Sequence, residues 1–103
     1  MSYRPLPKEV TIKESDIEGL GLFAIEKIPK GTNLGITHVL DSRWPDGYIR
    51  LPLGGFYNHS ETPNIENYVD YIAALGVNVY SLRTLRDIKV GEELVSTYIG
   101  YTP

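Results

Sequence analysis

Apolar residues come along this chain in short runs separated by glycine and proline, and the runs are rich in β-branched and aromatic side chains. That is the composition of short strands joined by turns. Val10 and Ile12 alternate with polar neighbours and predict a first strand. A second, residues 20–26, is entered through a turn at Gly19 and Gly21, and Pro29, Lys30 and Gly31 signal the turn before a third apolar run at 34–40. Residues 41–55, DSRWPDGYIRLPLGG, are irregular by their proline and glycine content and read as an insert with room for at most a turn or two of helix. Residues 65–75 fit two periods: Ile65, Tyr68, Val69 and Ile72 have helical spacing, whereas Ile65, Val69, Tyr71 and Ala73 partly alternate. Residues 77–85 read as strand, and Ile88, Val90, Gly91 and Glu92 form a turn before a last short strand ending at Tyr98. No repeat, low-complexity tract or linker stands out, and the pattern predicts a mainly β chain.

Length and composition narrow the picture. With 103 residues, 42% of them hydrophobic, there is material for one compact core, so the expectation is a single domain over 1–103. No cysteine is present, which excludes disulfides, thiolate metal sites and a cysteine nucleophile, and two histidines make a poor zinc site, so no metal is expected. The first residues lack the apolar core of a signal peptide and no stretch has the length of a membrane span; the expectation is a soluble intracellular protein with no membrane partner. A net charge of -3 without any lysine or arginine run argues against direct nucleic-acid binding and leaves a cationic partner open.

The chemistry concentrates in three segments. GLGLFA (residues 19–24) offers a glycine turn, NHSETPN (58–64) packs an amide, an imidazole and hydroxyls into one loop, and GEELVSTYIGY (91–101) ends on tyrosines. Singly they are weak: a G-x-G is most often an ordinary turn, Asn58-His59-Ser60 also matches a glycosylation acceptor, and Glu92 and Glu93 look like a solvated turn. Together and in this order they resemble the SET domain family, the S-adenosylmethionine-dependent protein lysine methyltransferases, and the resemblance runs from about Glu9 to Tyr101. It implies a mainly β, β-clip fold of short strands in several small sheets, with a C-terminal pseudoknot that brings Tyr98 beside Asn58. It also implies S-adenosyl-L-methionine as cofactor and a lysine-containing protein or peptide as substrate. Cofactor binding would fall to Gly19, Leu20, Gly21, Asn58, His59 and Tyr98, and catalysis to Tyr98. In such an in-line methyl transfer, positioning and charge placement supply most of the acceleration. The substrate amine, with an ordinary pKa of about 10.4, is favoured in its neutral form by a neighbouring positive charge and desolvation.

Departures from the family pattern qualify this. Where relatives carry Arg-Phe-Ile before N-H-S, this chain has Gly55, Phe56 and Tyr57; Ser96 stands where an aromatic often helps set methyl number; and Thr37 and His38 replace a channel tyrosine. Tyr57, Tyr101 and His38 are therefore the candidate substrate-channel residues. Only five residues follow Tyr98 where the family usually adds a closing segment, often cysteine-rich and zinc-bound. The resemblance to short stand-alone SET proteins of viral and bacterial type then implies a homodimer, with a second subunit as the missing wall. Trp44 reads as a loop anchor, with a substrate contact as the alternative. The chain's acidity suits a basic, histone-like target. A non-catalytic SET-like module that binds S-adenosylmethionine or a partner protein is the alternative reading.

Overall fold

The computed structural model describes residues 6–97. Eight strands lie within them: β1 (Val10–Glu14), β2 (Leu20–Ala24), β3 (Asn33–Leu40), β4 (Tyr48–Arg50), β5 (Asn58–His59), β6 (Ile65–Ile72), β7 (Val77–Thr84) and β8 (Glu93–Ser96), with one 3-10 turn at Pro52–Gly54. They form two four-stranded sheets, ordered β1-β2-β8-β5 and β4-β3-β7-β6. All pairings are antiparallel except β5 with β8. The mainly β architecture in small sheets is as expected from the pattern.

The two-period segment is decided by its partner. Ile65 to Ile72 pairs residue for residue with β7, which supplies backbone partners that an isolated helix would have to find within itself, and a turn to Gly76 at φ 66° closes the hairpin. The insert is more ordered than its proline and glycine content predicts. Tyr48 to Arg50 adds a strand to the edge of β3, and Leu53, at the centre of the 3-10 turn, enters the core. The last strand stops at Ser96, and the expected pseudoknot passage through Tyr98 lies outside the described residues.

The backbone carries an internal correspondence that no sequence repeat accompanies. Ile28 and Ile88 exchange both of their main-chain hydrogen bonds, at 3.0 and 2.8 Å, and around this bridge the two arms of the chain match at an offset of 60 residues. Gly31 N–H donates to Thr84 O at 2.9 Å while Gly91 N–H donates to Ala24 O at 2.8 Å, and these glycines have φ of 80° and 89°. The β2–β8 pair thus mirrors the β7–β3 pair. Leu22 and Leu34 from one arm and Leu82 and Leu94 from the other meet in a single core with Ile28 and Ile88. This core joins the two sheets and holds β8 between β2 and β5.

Candidate functional site

β5 is only two residues long, yet it places Asn58 beside β8 and across from the β1–β2 turn. Strand alternation puts Glu93 on the face of the first sheet opposite the buried Leu94, and Asn58 shares the outer face. The turn is closed by Ser15 N–H donating to Gly19 O at 2.8 Å, and the Ser15 hydroxyl oxygen accepts from Ile17 N–H at 3.0 Å. Gly19 carries φ 45° with nothing around it, so its role is the turn conformation.

Four acceptors surround one nitrogen here. Asn58 Nδ2 donates to Glu93 Oε2 at 2.8 Å and lies 3.1 Å from Ser15 Oγ, 3.2 Å from Glu18 O and 3.3 Å from Leu20 O. Ser15 O–H is spent on the Glu93 carboxylate, at 2.8 and 2.9 Å from its two oxygens. The amide must therefore present N–H to Glu93 Oε2 and turn its oxygen away from that carboxylate. Two amide hydrogens facing four oxygens leave a surplus of acceptors, which suits a ligand that brings its own donors. Glycine is needed at 21 because a Cβ there would overlap Glu93 Oε2 and stand 3.1 Å from Ser15 Cβ. The space is filled by the carboxylate.

A cavity of about 390 Å3 lies on the inner face of the same strand, lined by Ile65, Asn67, Tyr80, Leu85, Ser96 and Thr97 among others. A hydrogen-bond relay runs behind its wall. Tyr57 O–H donates to Asn67 Oδ1 at 3.1 Å, Asn67 Nδ2 donates to Thr37 Oγ1 at 3.0 Å, and Thr37 O–H donates to Tyr80 O at 3.2 Å. His38 Nδ1 lies 2.8 Å from Thr37 Oγ1 and joins the imidazole to the relay. The His38 ring meets Tyr48 and Tyr80 edge-on at 4.9 and 5.8 Å. Burial first, and the Arg50 charge second, hold its pKa below the ordinary 6.5.

Of the residues singled out in the sequence, Gly19, Leu20, Gly21 and Asn58 converge at the outer cluster, and His59 sits next to it on β5, opposite Ser96. Tyr57 and His38 are both buried and meet the same relay through Asn67 and Thr37. Tyr98 and Tyr101 lie outside the described residues. Ser15, Glu93 and Asn67 were missed. The two acids of G-E-E-L differ: Glu92 pairs with Arg86 at 2.9 Å, while Glu93 turns to Asn58. Alternation about the apolar Leu94 was the available signal for that choice.

A family model described as the SET domain matches residues 37–99. A histone-lysine N-methyltransferase from Schizosaccharomyces pombe, H3 lysine-37 specific, is 29% identical over 115 residues, covering 84% of this chain and 71% of that protein. Among solved structures, a Plasmodium falciparum protein assigned as a histone methyltransferase superposes with a TM-score of 0.73 at 25% identity, covering 93% of this chain and 97% of that one. A polycomb repressive complex 2 in an autoinhibited conformation, bound to S-adenosylmethionine, shares the fold with a TM-score of 0.70 at 22% identity. It covers 89% of this chain, which spans 15% of that one.

Proposed function

This chain belongs to the SET domain family, and from that premise we propose that it is an S-adenosylmethionine-dependent protein-lysine N-methyltransferase acting on a basic protein or peptide. The observation that carries the reading is the convergence of Ser15, the 18–20 carbonyls, Asn58 and Glu93 from three remote segments on one face of β8, with a cavity on the other face. The acceptor surplus fits the ammonium of the cofactor's methionine part, with Asn58 Oδ1 as a further acceptor. When bound, S-adenosylmethionine supplies a methyl group on a sulfonium.

The protein's own contribution is positioning. Glu18 O, Leu20 O and Asn58 orient a ligand ammonium, and the cavity lined by Ile65, Asn67, Tyr80 and Ser96 receives the lysine stem from the inner side. Tyr98, one residue beyond Thr97, is assigned to orient the amine by its phenol oxygen, following the family motif. The Tyr57–Asn67–Thr37–His38 relay stiffens the cavity wall. Ser96 leaves room at a position where relatives often carry an aromatic.

We further propose a single SET domain that works inside the cell as a homodimer. Val69, Tyr71 and Leu75 support that dimer: they are exposed at 61, 58 and 72%, on the hairpin of β6, an edge strand among the described residues. The deciding experiment treats a basic protein extract with the enzyme and isotopically labelled S-adenosylmethionine, followed by mass spectrometry. Labelled methyl on lysine that falls at least about 100-fold with Tyr98→Phe is expected. Cofactor binding without any lysine labelling would transfer the weight to a non-catalytic binding module.

A further inference from the structure

We propose that Glu93 and Ser15 form a clamp that sets the orientation of the Asn58 amide, and that Gly21 is glycine in order to admit this clamp and not to admit a ligand. The inference rests on the cofactor reading above for its binding consequence, and on packing alone for its structural one. Glu93 and Ser15 are here positioning residues: they act through Asn58.

An asparagine amide is nearly symmetric in shape, so only its hydrogen-bond partners decide which end faces which way. At Asn58 the strongest of these partners is a carboxylate, an acceptor that cannot donate, at 2.8 Å from Nδ2. A flipped amide would set its oxygen against Glu93 Oε2 and two main-chain carbonyls. Glu93 could swing away, but Ser15 O–H bridges both of its oxygens. Ser15 is held in turn by the tight turn that accepts Ile17 N–H on the same hydroxyl. The ordering of the β1–β2 turn, the direction of Asn58 Oδ1 and the seat of the Glu93 carboxylate are thus one coupled unit.

Gly21 closes the unit. A methyl group on residue 21 would overlap Glu93 Oε2, and the carboxylate has no second place to go without giving up Ser15 and Asn58. The two glycines of the G-x-G therefore have different reasons. Gly19 has space and needs a left-handed turn; Gly21 needs the space.

The experiment is a double-mutant cycle on the full chain, with Gly21→Ala, Glu93→Ala and the pair, plus Glu93→Gln. It is read by thermal unfolding without cofactor and by calorimetric titration with S-adenosylmethionine. Gly21→Ala is expected to lower Tm in the wild-type background and to lower it little or not at all once Glu93 is alanine. Glu93→Ala is expected to weaken cofactor binding about tenfold. Glu93→Gln, whose amide oxygen still accepts from Asn58 and whose N–H donates to Ser15 Oγ, is expected to recover most of that loss. A merely structural acid would give no recovery in binding beyond its recovery in Tm. Equal Tm losses from Gly21→Ala in both backgrounds would overturn the packing claim, and unchanged binding in Glu93→Ala would overturn the clamp. If the wild type fails to bind the cofactor, the functional reading fails while the Tm cycle still judges Gly21.

Discussion

At the scale of single residues, the site depends on donors and acceptors being counted correctly. Asn58→Asp replaces the amide donor at the centre of four acceptors with another acceptor, next to the Glu93 carboxylate 2.8 Å from the lost nitrogen. Two carboxyl groups at that distance disfavour joint ionisation. Cofactor affinity measured by calorimetry should fall at least tenfold, and affinity should improve as pH is lowered and one carboxyl takes a proton. His38 gives a second residue-scale test. Its folded pKa is lowered, so below about pH 6.5 the unfolded chain binds more protons than the fold, and stability drops as pH falls until the folded pKa is passed. Tm should decline between about pH 7 and pH 5 more steeply in the wild type than in His38→Gln; equal slopes would remove His38 as the cause.

At the scale of elements, β8 matters most because it carries Glu93 on one face and Ser96 on the other. Its position is set by a side chain of a neighbouring segment. Asn64, just before β6, donates Nδ2–H to Glu93 O at 2.8 Å and accepts Val95 N–H at 2.8 Å. Asn64→Ala leaves a buried N–H and a carbonyl without partners, a loss of about 2–4 kcal/mol. In a domain of this size that lowers Tm on the order of 10–25 °C. Thermal unfolding followed by circular dichroism checks it, and cofactor binding should weaken in parallel because the clamp is on the same strand. In sequence Asn64 reads as the end of N-H-S-x-x-P-N. That it works as a staple between strands was not legible there, because a two-sided amide looks the same whether it faces solvent or backbone.

At the scale of the molecule, the pseudo-two-fold about Ile28 and Ile88 explains why an N-terminal turn and a C-terminal strand share a site. Each arm is a strand, a turn carried by a glycine at positive φ, and a second strand, and crossing the arms brings β2 against β8 and β7 against β3. Gly31 and Gly91 have nothing within 4 Å of a built Cβ, so alanine at either costs only backbone strain, about 1 kcal/mol. The two substitutions should lower Tm by nearly the same amount, and a large inequality would mean that the arms are not equivalent in energy. The symmetry is hidden in sequence because, over residues 20–36 against 80–96, only Leu22/Leu82, Ile28/Ile88, Gly31/Gly91 and Leu34/Leu94 are identical in the arms. The oligomeric reading belongs to this scale too: Val69→Lys with Leu75→Lys should convert a dimer to a monomer in light scattering while leaving Tm nearly unchanged.

Local pattern determined a good deal by itself. Alternating β-branched runs and glycine turns marked most strand positions, and the order of three short motifs marked Gly19, Gly21 and Asn58 as partners, since both kinds of signal are carried by residues close in sequence. Only the tertiary structure decided that residues 65–72 are strand and that Tyr48–Arg50 joins β3. It alone turned Glu93 toward Asn58 and seated that carboxylate where a side chain at 21 would be. The physical reason is the same in each case. Backbone pairing and hydrogen-bond direction depend on partners dozens of residues away, which no local period or composition encodes.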